Sequence, residues 1–217
     1  MGRPGSVALL ERRHRVAPRI IYFDIETRLW ASDLDKEDEQ HGWELLRQGK
    51  GGASAIALFD TKTDWCHTYD DMSARACGLH LEQADMLVSF RGEAFDVPVM
   101  EGLLGRKLAI RQHFDIYTEM ARANAERGVV GGKGDFTLGA VAKRNLGRGK
   151  IDSGENAKHL TATGQFGKLF NYCLSDVELT RALFRRICRD GGIINLGGGF
   201  LPLTVPEHIA RAVSARE

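Results

Sequence analysis

The sequence predicts an α/β domain built on a central, mixed, five-stranded sheet with helices on both faces. Three observations point there. A wholly apolar run, Ile20–Phe23, reads as a strand buried on both sides. Two β-patterned stretches, 53–60 and 65–70, follow almost back to back around the turn "TKTD", as antiparallel neighbours do. From residue 73 onward helix and strand patterns alternate, which adds strands and covers the sheet.

Taken in order, the first strand ends in "DIET" (24–27). Residues 31–52 are longer than a hairpin needs and form an insertion, with one helix expected from about Leu34 to Gln48, Ser32/Asp33 as its cap and Gly49 as its stop. After the hairpin come a short helix over 73–83, a strand at Met86–Phe90 and a helix over 93–105. That helix carries Pro98 in its first turns and Gly105 at its end. A strand near Arg111–Phe114 leads into a helix from Asp115 to about Arg127. The composition of "GVVGGKGD" (128–135) marks a loop, and 136–147 is amphipathic and helical. The clearest helix is Phe166–Arg189, whose apolar residues recur at helical intervals; Gly191 and Gly192 stop it before a final pair of short strands. The expected organisation is a flexible basic arm (1–18), one domain (19–205, with the helical insertion 31–52) and a C-terminal tail (206–217).

Composition narrows the function classes. With 43% hydrophobic and 27% charged residues in 217, the chain builds a sizeable core and is not a disordered segment. A net charge of +1 excludes nucleic-acid binding through bulk charge, so an anionic ligand needs local patches or bound metal. The four cysteines form no CxxC pair, and Cys66-His67 with Cys77 and His80 matches no usual zinc spacing. Residues 1–19 hold five arginines and no apolar block, and the longest uncharged run, Gly191–Pro206, holds five glycines and two prolines. A soluble, cytoplasmic protein with no membrane partner is expected. "GGKG" (131–134) lacks the first glycine and the Ser/Thr of a phosphate-binding P-loop.

Three acidic positions stand out by context. Asp24 and Glu26 are two apart on a strand and share a face. Asp96 lies just past another buried strand, at the start of a helix. Asp176 lies within the long helix with Tyr172 one turn earlier, so these two share a face. Four carboxylates drawn into one cleft would repel by roughly 3 kcal/mol per pair at about 5 Å and an effective dielectric near 20. Such a cluster calls for cations, and hard oxygen donors suit Mg²⁺ or Mn²⁺.

The stretches "FDIET", "VSFRGEAFDVP" and "NYCLSDVELT" resemble, in order and spacing, the three motifs of the DEDD 3′–5′ exonucleases of the ribonuclease H-like superfamily, over about residues 19–190. Tyr172, four residues before Asp176, matches the tyrosine (DEDDy) subgroup; the histidine subgroup would carry His where Asn171 stands. That subgroup includes the proofreading domains of family A and B DNA polymerases and small stand-alone enzymes. The resemblance implies a ribonuclease H-like fold and two divalent metal ions, Mg²⁺ or Mn²⁺. Asp24 would bridge both; Glu26 and Asp176 would complete the site of the ion that activates water, and Asp96 would hold the second ion. Tyr172 would orient the attacking water. The implied reaction is 3′–5′ hydrolysis of DNA to nucleoside 5′-monophosphates. The alternatives are a 3′–5′ exoribonuclease or oligoribonuclease, and a non-catalytic nucleic-acid-binding module of the same fold. Arg91 departs from the Asn that relatives often carry there.

The expected partner is a nucleic acid with a free 3′ end. Residues 106–150 hold ten Lys/Arg against four Asp/Glu, and Lys143, Arg144, Arg148 and Lys150 are expected to track its phosphates. Thr27, Arg91 and Phe95 are further candidate substrate contacts, and Trp30 and Phe95 could stack on the terminal base. The insertion around Trp43 is expected to act as a lid, a steric gauge, or a surface for a protein partner or self-association. Arg12, Arg13, Arg15 and Arg19 could touch nucleic acid.

Overall fold

A computed structural model describes residues 17–128, 136–151, 154–195 and 197–215. The loop expected over 128–135 lies outside these except for Gly128, as do Arg12, Arg13 and Arg15 of the arm. A five-stranded sheet in the order β3-β2-β1-β4-β5 forms the centre. Strand β1 (Ile20–Thr27) pairs antiparallel with β2 (Ala53–Asp60), which pairs antiparallel with β3 (Trp65–Tyr69). On its other side β1 runs parallel to β4 (Met86–Ser89), and β4 to β5 (His113–Asp115). The sheet is therefore mixed, as the sequence predicts.

The pleat of β1 divides the core. Ile21, Phe23 and Ile25 pack with helices α3 (Ala74–Leu81) and α4 (Asp96–Leu104), while Ile20 and Tyr22 face the other layer. That second layer is dominated by α8 (Phe166–Asp190), whose Phe184 meets Tyr22 and Phe114 at centroid distances of 5.9 and 5.1 Å. Helices α5 (Ile116–Ala125), α6 (Leu138–Leu146) and α7 (Gly154–Ala162) complete it. Strands β6 (Gly192–Ile194) and β7 (Phe200–Pro202) form a separate antiparallel pair. No helix among the described residues is long and apolar enough to cross a membrane.

Several expectations need correction. Strand β1 does not stop at Phe23: it continues to Thr27, so Asp24 and Glu26 lie within the sheet. The single helix expected over 34–48 is two, α1 (Ala31–Leu34) and α2 (Glu39–Arg47). Between them the Asp35 carboxylate accepts from the Glu37 and Asp38 amides, and Asp38 caps α2 through the His41 amide, not Ser32 or Asp33. Helix α4 begins at Asp96, not at 93. The segment expected to be a tail carries α9 (Glu207–Ser214), which buries Ile209 and Val213.

Candidate active site

Asp24 and Glu26 extend the row Ile20–Tyr22, so the pleat aims them at α8. Their cross-strand neighbours are Ala57 and Ala55, whose small side chains let α8 come close to the acids. From α8 come Tyr172 and Asp176, one turn apart and both buried. Carboxylate oxygens of Asp24, Glu26 and Asp176 lie within 4.8 Å of one another. Asp24 and Glu26 keep part of their surface open to solvent, whereas Asp96 and Asp176 are buried. Asp96 enters from the first turn of α4, where the helix dipole favours an anion. The preceding loop passes so close that a Cβ on Gly92 would lie 2.8 Å from Asp96 Oδ2. Asp115 holds that loop by accepting from the Glu93 amide at 3.1 Å and the Ser89 hydroxyl at 2.8 Å.

The electrostatics follow from burial and crowding. Burial first, then the Asp176 charge, pushes Asp24 up to about 7. Burial and Asp24 push Glu26 well above the usual carboxylate range. Asp96 is raised likewise, by burial and then by Asp24 and Asp115. Burial also raises Asp176, against the opposing pull of Lys150. Tyr172 is raised by burial and by Asp176, so its hydroxyl keeps its proton at neutral pH.

The structure moves Lys150 from the expected phosphate track into the site. Its Nζ is 2.6 Å from Asp176 Oδ2 and donates to the Tyr172 hydroxyl at 3.0 Å. Burial disfavours its charge, but Asp176 and Asp24 more than offset this and raise its pKa. No signal in the sequence marks Lys150 apart from its neighbours, because its partners are more than twenty residues away. The other cations of that stretch do not join it. Arg144 donates to the Asn195 carbonyl at 2.9 Å, Arg148 lines a separate cavity with Arg181 and Arg185, and Lys143 is exposed. Arg91 has a left-handed backbone (φ 69°) and stacks its guanidinium 4.2 Å from the Tyr117 ring centroid. Asparagine adopts that conformation more readily than arginine. Beside Glu26 a cavity of about 360 Å³ is lined by Thr27, Trp30, Trp43 and Phe95.

The donor set was tested against divalent metal. Asp176 Oδ1 and Oδ2, fully buried, accept no well-aligned hydrogen bond even with the Lys150 ammonium beside them. Orphaned buried carboxylate oxygens among other acids are what a hard cation satisfies, so the residues fit such an ion.

Residues 21–157 match the family model of the RNase_H superfamily, an interval that contains Asp24, Glu26, Asp96 and Lys150 and ends before Tyr172 and Asp176. Among solved structures, the family B DNA polymerase from the hyperthermophilic archaeon Pyrobaculum calidifontis is similar in fold, with a TM-score of 0.54 and 15% identity. The similarity covers 78% of this chain and 24% of the polymerase, so the chain spans about a quarter of that protein's length. No curated protein matches the sequence.

Proposed function

The chain belongs to the RNase H superfamily, and from that premise we propose that it is a metal-dependent 3′–5′ exonuclease of the DEDDy type. Its proposed substrate is DNA and its products are nucleoside 5′-monophosphates. The observation that carries this reading is the convergence of Asp24, Glu26 and Asp176 within 4.8 Å, with Asp96 coupled to them and Tyr172 alongside.

Asp24, Glu26, Asp96 and Asp176 would hold two Mg²⁺ or Mn²⁺ ions, which supply Lewis-acid charge at phosphorus when bound. The chain's own residues do the rest. Tyr172, raised above the ordinary phenol value, cannot serve as a base near neutral pH; its protonated hydroxyl orients the attacking water by hydrogen bonding. Lys150 brings a fixed ammonium to the edge of the cluster, where it can meet a phosphate oxygen. Asp115 keeps the loop bearing Asp96 in place. Cations that follow the substrate's phosphates are proposed to include Lys143, Arg144 and Arg148.

The test is digestion of 3′- and 5′-labelled DNA and RNA with Mg²⁺, Mn²⁺ or EDTA. The expected result is monophosphate release from the 3′ end of DNA, lost in EDTA and in Asp24→Ala. Activity that survives either condition overturns the metal-dependent reading, and preferential cleavage of RNA overturns the choice of sugar.

A further inference from the structure

We propose that the 31–47 segment is the specificity wall of this site, and that Trp43 closes a socket for a single unpaired terminal nucleobase. This rests on the nuclease reading and names which substrate ends the site accepts.

The socket is the cavity beside Glu26. At about 360 Å³ it lies at the small end of ligand pockets, enough for one nucleotide and too small for a base pair. One end is Glu26, whose carboxylate belongs to the acidic cluster. The remaining walls are largely apolar and aromatic: Ile25, Trp30, Trp43 and Phe95. A ligand that fills it therefore has a flat, uncharged body and an anionic end beside the acids, where metal would bind. A terminal nucleotide has that shape. Trp43 stands edge-on to Phe95, with centroids 5.7 Å apart and planes at 80°, and its Nε1 donates to Glu39 at 3.3 Å.

Trp43 is fixed in place, not carried on a loose lid. A Cβ on Gly42 would lie 2.2 Å from the Ala31 carbonyl oxygen, so α1 and α2 touch backbone to backbone. A Cβ on Gly102 would lie 2.3 Å from the Gln48 carbonyl carbon, which sets the end of α2 directly on α4. Leu46 is buried beneath, and the Arg47 Nε donates to the Ala94 carbonyl at 3.3 Å. On the outer side α7 fastens to α1. Lys158 Nζ lies 2.6 Å from both Asp33 oxygens and 5.2 Å from the Trp30 ring centroid. A wall held from both sides excludes the partner strand of a duplex, so a paired base must leave its stack before it enters.

The experiment uses the full chain with Mg²⁺ and two readouts. The first is calorimetric binding of dTMP and dAMP. The second is the rate on a single-stranded 3′ end against a blunt duplex. Trp43→Ala is expected to weaken monophosphate binding about tenfold, the typical worth of one aromatic stack. It should raise KM for single strands more than it lowers kcat, and narrow the preference for single-stranded ends. Trp43→Phe should recover most of both. Wild-type binding, KM and end preference in Trp43→Ala would overturn the socket while leaving the nuclease reading intact. An equal loss of kcat on all substrates, not rescued by Trp43→Phe, would also overturn it. Monophosphate binding without any cleavage would sink the nuclease reading and leave the socket standing.

Discussion

Asp24→Asn should make the metal-free protein more stable while abolishing its proposed activity. Asp24 titrates near 7 instead of its ordinary 3.8 because burial and Asp176 disfavour its charge. At about 1.4 kcal/mol per pH unit, the ionised carboxylate costs the fold about 4 kcal/mol above pH 7. Water reaching its open edge reduces this to about 2–3 kcal/mol. Between about pH 4 and about pH 7 the folded chain holds a proton that the unfolded chain has released, so unfolding becomes easier as pH rises through that window. Asparagine removes the cost and also relieves Glu26 and Asp96, both of which feel the Asp24 charge. For a chain of this length the gain corresponds to roughly 5–10 °C in Tm. The assay is thermal unfolding in EDTA at about pH 8 and about pH 4, repeated with Mg²⁺. The variant should melt higher than wild type at pH 8 and match it at pH 4, where the carboxyl is protonated folded or unfolded. Mg²⁺ should raise the wild-type Tm and lose most of that effect in the variant. A variant that melts no higher at pH 8, or whose gain is the same at pH 4, refutes the strained-cluster argument.

Three further outcomes are expected. Tyr172→Phe should lower turnover about 10- to 100-fold while keeping the Mg²⁺-induced rise in Tm, and equal turnover would remove its water-orienting role. Lys150→Met leaves Asp176 without its ammonium and should destabilise the metal-free protein by about 2 kcal/mol near pH 8; an unchanged melting curve would mean the ion pair carries little. Asp60→Asn, far from the site, should cost about 3 kcal/mol at neutral pH with turnover within twofold of wild type, and a preserved Tm would refute its structural role. Asp60 is held down to about 2, so its stabilisation is present above about pH 4 and disappears as pH falls through 2.

How much of this was legible in the sequence varied with the range of the interaction. The i, i+2 spacing of Asp24 and Glu26 and the i, i+4 spacing of Tyr172 and Asp176 are local periodicities, and the structure places both pairs on the faces those periods imply. The stops at Gly105 and Gly191 were equally readable, since both adopt the left-handed backbone that suits glycine (φ 63° and 74°). The break between α1 and α2 was not. "DKEDEQ" is compatible with a helix by propensity, and only the Asp35 carboxylate turning onto the Glu37 and Asp38 amides ends the first helix. Helix α9 shows only Ile209 and Val213 as an apolar pair, too little to distinguish a docked helix from a frayed end. Lys150 was hidden for a different reason. It sits among several cations of one loop, and only the tertiary path of α7 and α8 selects which of them meets Asp176.

The two clusters of metal-ligating residues on this sheet show why one reads as an active site and the other as a brace. Asp60 lies on β2 opposite Ile21, three positions along from the Ala57 that faces Asp24, and points to the other side of the sheet. It gathers His67 and His80 within metal-ligand range, as Asp24 gathers Glu26 and Asp176. Yet Asp60 is already matched from within. Arg19 donates to both of its oxygens, His80 Nε2 lies 3.0 Å away with its other ring nitrogen held by Tyr69, and the Lys62 amide adds a bond at 2.8 Å. Burial pushes Asp60 up, but those partners overcome it and leave its pKa low. A divalent ion there would have to displace the Arg19 guanidinium. At the other cluster one ammonium, Lys150, faces four carboxylates, and every one of them is raised. The same fold thus neutralises one buried aspartate completely and leaves the other set short of positive charge. That deficit is what a divalent cation and an incoming phosphodiester would together resolve.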